Sequence, residues 1–225
     1  MFKGFSEFDV QIASVLLGVI LAQGVNFGND WLKRRKIKKA LLDELIQLRM
    51  QLNIASVSLE RGIQVFAKGG LIPNKHVIIE GHIFSNSYKD AAMYLNVEQR
   101  ISFQLIHSLI AELNSTLRQQ AATVDRAVEK EELDVADYEQ WGRITKSAYR
   151  TGRQIIWHIH FHLENIKNPS LDYGGPIHES YLKFLQKIED EIDSIENSAE
   201  GLDREGFERL YDPDRFKGGY ENVRE

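Results

Sequence analysis

Residues 10–29 read VQIASVLLGVILAQGVNFGN: twenty positions without a charge, bracketed by Asp9 and Asp30. At about 1.5 Å per residue, a helix over this stretch just spans a hydrocarbon layer of roughly 30 Å. The flanks decide how it is read. A cleaved signal peptide carries its positive charge before the apolar run; here only Lys3 precedes it, and KRRKIKK follows at 33–39. A helix buried in a protein core has no reason to end on six cations. The stretch therefore predicts a single membrane-spanning helix.

The cluster Lys33, Arg34, Arg35, Lys36, Lys38 and Lys39 sets the orientation, because loops rich in Lys and Arg stay on the cytoplasmic side. Residues from Trp31 onward are then cytoplasmic, and residues 1–9 form a short segment on the far side. Trp31 suits the interface, and the basic run suits anionic lipid headgroups. Inside the span, Ser14, Gly18, Ala22 and Asn26 recur every four residues, with Gln11 and Gln23 beside them. Amides facing lipid are costly, whereas small residues and amides between helices allow close approach and hydrogen bonding. The stripe predicts a homo-oligomer, either packed through this face or arranged around a wet pore.

Working outward, apolar residues recur at helical spacing almost everywhere and alternating strand-type runs are nearly missing, so the class is all-α. At 225 residues and 43% hydrophobic, the chain has material for one sizeable helical bundle, expected over 30–198. Leu41, Leu45, Leu48, Leu52, Ala55, Leu59, Ile63 and Phe66 form a near-heptad seam that fits a bundle face or a coiled-coil contact between protomers. Gly69-Gly70 and Pro73 end that helix. Residues 71–85 are the least helical stretch, and a short helix is expected at about 86–95. Asn96 is placed to cap a helix over Val97–Glu129, with Ile101, Leu105, Ile106, Leu109, Leu113, Leu117 and Val124 inward. Another helix should run from about Val135 to Lys167. A last one should start at Pro176, with Ile177, Tyr181, Leu185, Ile188, Ile192 and Ile195 on its inner face. Residues 199–225 turn to charges, glycines and scattered aromatics, a composition of disorder or of docking on a neighbour.

Several function classes are excluded. Cysteine is absent, so there are no disulfides, thiolate zinc sites or cysteine nucleophile. A net charge of −5 provides no global field for nucleic acid. There is no glycine-rich phosphate loop, serine elbow or zinc-protease pair, and no small-molecule substrate or cofactor is implied. His158 and His162 share a helical face at metal-ligand spacing, but no third ligand accompanies them, so no metal is expected.

Two Arg-to-His spacings remain: Arg153 to His158 in RQIIWH, and Arg100 to His107 in RISFQLIH. With 14 Arg and 7 His, about one such match is expected by chance, and three occur when Arg153 to His160 is counted. Five positions on one helix turn a side chain by about 140°, so convergence on one substrate needs a kink or a partner subunit.

A single span, a basic collar and a helical domain bearing RQIIWH resemble the small membrane accessory proteins of RNA-targeting type VI-B CRISPR systems. The resemblance implies a divergent HEPN-like domain, assembly into a ring with a membrane pore, and a role in antiphage defence beside a defence nuclease. It places Arg153 and His158 at the motif positions, where a HEPN ribonuclease uses His for proton transfer and Arg to steady the phosphate of RNA. Arg100 and His107 match more loosely. The expected protein is thus a single-pass oligomer of the bacterial inner membrane that forms or gates a pore. A membrane-tethered metal-independent ribonuclease and a non-catalytic membrane adaptor are the alternatives.

Overall fold

The computed structural model describes residues 7–72, 78–129 and 135–202, without the side chains of residues 7–17, 19, 20, 22, 26 and 128. Among the described residues five helices follow one another: α1 Glu7–Ala67, α2 His82–Ala92, α3 Val97–Glu129, α4 Val135–Glu164 and α5 Pro176–Ser198, closed by a 3₁₀ turn at Ala199–Gly201. The described residues contain no strand. The all-helical bundle is as the sequence predicts.

α1 is 61 residues long, about 90 Å at the usual rise. Its first buried residue is Leu41. From there Leu45, Leu48, Leu52, Leu59 and Ile63 are all buried within the chain's own core, beside α3, α4 and α5 residues such as Ile106, Ile155 and Ile188. The seam is a bundle face. α4 packs closely along α1 because two glycines permit it. A Cβ on Gly142 would collide with the Phe66 ring, and one on Gly62 would meet the Thr145 methyl at 2.9 Å. These pairs make α1 and α4 antiparallel. Gln64 Nε2 donating to Ser198 Oγ, with Lys68 Nζ donating to the Glu200 carbonyl, sets α5 parallel to α1.

The helix ends are built from identifiable contacts. Gly69 has φ +78°, and the amides of Gly70 and Gly69 donate to the carbonyls of Val65 and Phe66, closing α1 with a glycine C-cap. Asn96 Oδ1 accepts from the Gln99 amide at 2.7 Å while Gln99 Oε1 accepts from the Asn96 amide at 3.1 Å, a reciprocal capping box. Asn96 Nδ2 also donates to the Lys167 carbonyl, and Gln99 Nε2 to that of Ile166. These contacts tie the start of α3 to the end of α4, which stops at Glu164 rather than at Lys167. Asn96→Ala should cost about 1 kcal/mol and lower Tm by roughly 2–4 °C, read by thermal melting.

Besides the earlier end of α4, two further expectations change. α2 begins at His82 instead of about 86, for a reason given below. Ile101, expected inward, is 59% exposed, while Phe103 and Ile110 take buried places on α3. Among the described residues no helix is long and apolar enough to cross a membrane, so the described residues lend the expected crossing no support. The stripe positions Gln11, Ser14, Ala22 and Asn26 lie outside the described side chains; Gly18 is exposed, with nothing within 4 Å of where its Cβ would be. The tail from 203 onward also lies outside the described residues, as do residues 73–77 and 130–134.

Candidate functional site

Three polar clusters and one bundle end compete for a functional role. The first surrounds Glu44, which is buried on α1. Its Oε1 and Oε2 accept from the amides of Ile83 (2.5 Å) and Phe84 (2.9 Å), the second and third residues of α2. The local residue before α2, Gly81, has no side chain to do this, so a carboxylate from another helix provides the cap. That cap explains the early start of α2. The anion sits where the helix dipole and the unpaired amides favour negative charge. Burial nevertheless pushes the Glu44 carboxyl above the usual range, while the two amides pull it back. His107 from α3 stacks on Phe84 with ring centroids 3.6 Å apart, and its Nε2 lies 3.9 Å from Glu44 Oε2. Burial lowers His107 to about 4. Just before α2, Asn114 brackets Ile79: Oδ1 accepts from its amide (3.0 Å) and Nδ2 donates to its carbonyl (2.8 Å). The extended approach to α2 is thereby clipped to α3 with its backbone satisfied.

The second cluster holds the histidines of α4. His162 is fully buried, its Nδ1 2.8 Å from Ser102 Oγ and its ring against Phe103. His158 is 5% exposed and packed among the rings of Trp157 and Tyr181. Burial lowers both to about 4, so at neutral pH both imidazoles are uncharged. His160 points outward and pairs with Glu164 at 3.2 Å.

The third cluster joins α4 to α5. Lys146 meets Glu196 at 2.5 Å, Arg150 grips Glu189 with Nε and Nη2, and Arg153 meets Glu191, whose Oε2 also accepts from Tyr149. Arg153 is thus an ion-pair partner of α5. No hydrogen bond or ion pair joins it to His158. The pair Arg100 and His107 is likewise separate: the carbonyl of Arg100 accepts from Tyr88, and His107 is occupied with Phe84. General acid–base work needs an imidazole within reach of substrate and a pKa near working pH. Neither His158 nor His107 has these properties in one chain.

The bundle end from which α1 departs is different in kind. Leu21, Val25, Phe27, Trp31 and Leu32 are 48–73% exposed along α1 before it joins the core. The collar residues follow: Lys33, Arg34, Arg35, Lys36 and Lys39 exposed, Lys38 half-buried. Arg35 lies over the Trp31 ring and Arg34 over Tyr94, 4.8 Å from its centroid. The second contact brings the α2–α3 turn level with the collar. At the same end, an open cleft of about 460 Å³ lies between the end of α4 and the start of α5, floored by Trp157 and Phe161 and edged by Glu164 and Ser180.

No family model, curated protein or solved structure matches the chain. The site must therefore be argued from its own chemistry. Its distinguishing property, among the described residues, is the run of exposed apolar side chains of α1 from Leu21 to Leu32 followed by cations, beside the exposed Met93, Val97 and Ile101 of the α2–α3 turn. The sequence reading found the helix and the collar. It missed the Glu44 cap and the α4–α5 ion pairs, because they join residues 38 to 50 positions apart. Among the described residues no three His, Asp or Glu side chains are grouped to hold a metal.

Proposed function

We propose that this chain is a membrane-anchored helical oligomer whose residues 10–29 cross the bilayer and whose bundle stands on the side of the basic collar. In the sharper form of this reading, copies associate through Gln11, Ser14, Gly18, Ala22 and Asn26 to form or gate a pore in the bacterial inner membrane, serving antiphage defence. The observation that carries the anchoring is the free length of α1. More than thirty helical residues precede Leu41, and Leu21, Val25, Phe27, Trp31 and Leu32 among them are 48–73% exposed, Ile37 being the first described side chain of α1 that packs on the core. Exposed apolar surface of that extent calls for lipid or for another copy. An uncharged run of twenty residues ending in six cations suits a span with its charges in headgroups. The ribonuclease reading lacks comparable support, since Arg153 is paired with Glu191 and His158 is buried among rings.

The test is reconstitution of the full chain in liposomes loaded with a small self-quenched dye. The protein should resist alkaline carbonate extraction and release dye. A Gln11→Leu, Ser14→Leu, Asn26→Leu variant should remain inserted and lose release at least tenfold. Extraction of the parent by carbonate would remove the anchor. Insertion without release, or release unchanged in the variant, would remove the pore and leave a membrane adaptor.

A further inference from the structure

Of the ten exposed large apolar residues of the bundle, Met50, Ile54, Ile78, Val135 and Leu182 lie apart along its length, whereas five gather at one end. Met93 (71%), Val97 (52%) and Ile101 (59%) follow one another across the α2–α3 turn and the first turns of α3. Val97 and Ile101 are four apart, on one helical face. The α4–α5 connection adds Ile166 (41%) and Tyr173 (84%), and the bonds from Asn96 and Gln99 to the carbonyls of Lys167 and Ile166 hold its first residues to the same end. This is the end that α1 leaves. The contact of Arg34 with the Tyr94 ring places the turn level with residue 34. Residue 34 lies five positions past Asn29, the last of the uncharged run, or about 8 Å along the helix axis.

We propose that this end of the bundle rests on the bilayer, with Met93, Val97 and Ile101 dipping into the headgroup layer of anionic lipid. The proposal rests on the anchoring of residues 10–29 argued above and goes beyond it, because it fixes how the bundle stands on the membrane. Charge favours lipid as the occupant. The six collar cations lie at this end, Arg34 touching the turn itself, and Lys89, Arg100 and Lys167 add to them; Asp30, Asp90, Glu98, Glu164 and Asp172 are at the same end but are outnumbered. A basic apolar surface held parallel to a membrane gains from both buried methylene area and headgroup attraction. Position favours it too: a 5–10 Å depth is typical of such interfacial contacts, and the patch lies within that distance of the end of the run. The core side of α3 needs none of these residues, since Phe103, Ile106 and Ile110 already fill it.

The absence of cysteine makes the test direct. Single-cysteine variants Met93→Cys, Leu21→Cys and Val135→Cys of the full chain are labelled with an environment-sensitive fluorophore and reconstituted into vesicles of phosphatidylcholine with or without phosphatidylglycerol. Position 135 is 70% exposed and begins α4 at the opposite end of the bundle. With phosphatidylglycerol, headgroup-proximal spin-labelled lipid should quench the label at 93 at least threefold more than that at 135. That quenching should fall by half or more in phosphatidylcholine alone, while the label at 21 stays quenched in both. Quenching at 21 but not at 93 would overturn this proposal and leave the anchor standing. Quenching at neither would overturn both. A blue-shifted label at 93 that lipid does not quench would assign the patch to a second protein copy and overturn the lipid contact.

Discussion

Acidification from pH 6.5 toward 4 should unfold the bundle cooperatively, seen as loss of helical circular dichroism together with tryptophan fluorescence. The cause is three buried imidazoles. His107, His158 and His162 are each lowered by burial from 6.5 to about 4. Between those values the unfolded chain binds the protons and the native chain does not, so stability falls as pH falls through that window. Each such shift is worth about 3 kcal/mol once pH has dropped to the folded value. Three of them together rival the roughly 5–15 kcal/mol by which a domain is usually stable. Glu44 runs the other way. Its folded value is raised, so above 4.5 the native chain holds the extra proton and gains stability as pH falls. One carboxyl does not offset three imidazoles. His158→Phe keeps an aromatic ring against Trp157 and Tyr181 and removes one titrating group. Its acid midpoint should lie below the parent's, and an unmoved midpoint would sink this account.

The same residues show where sequence reading succeeds. α3 was legible to the residue because its signals are local: Asn96 and Gln99 are three apart and satisfy one another. The C-terminal glycines of α1 and Pro176 at the start of α5 are local in the same way. Glu44 reads as one charge on an amphipathic helix until α2 is seen to begin against it. The basic residues Lys146, Arg150 and Arg153 read as a solvated face until α5 brings Glu196, Glu189 and Glu191 beside them. Ile101 is misplaced because periodicity alone does not fix which face is buried at the start of a helix, and there the buried face of α3 runs through Gln99, Ser102 and Phe103 instead. Five positions on one helix set Arg153 and His158 about 140° apart. The structure gives each residue a different partner, and the ends of α1 and α3 have become the part of the molecule that calls for a ligand.

Glu44→Ala should be the most damaging single change in the bundle outside its apolar core. Two amides of α2 lose a charged acceptor, and neither has a local substitute because Gly81 carries no side chain. Hydrogen bonds to charged groups contribute about 1.5–3 kcal/mol each, and a buried orphaned amide costs about 1–3 kcal/mol. Relief of the buried charge offsets part of this, because desolvation already works against the ionised carboxyl. A net loss of about 3 kcal/mol follows. The damage should be local before it is global: the amides of Ile83 and Phe84 should lose hydrogen-exchange protection first, with the Phe84–His107 stack loosening alongside. Glu44→Gln keeps one oxygen for one amide but presents an NH₂ to the other, so it should lose about half as much. Equal stability of the Ala variant and the parent in urea, with Ile83 and Phe84 still protected, would show that α2 is capped by something else. Because α2 ends in the turn that carries Met93 and Tyr94, fraying it from its start should also loosen the Arg34–Tyr94 contact. The Glu44→Ala variant should therefore reduce lipid quenching of a label at position 93 while leaving the label at 21 unchanged, linking a buried carboxylate in the bundle to the way its end meets the membrane.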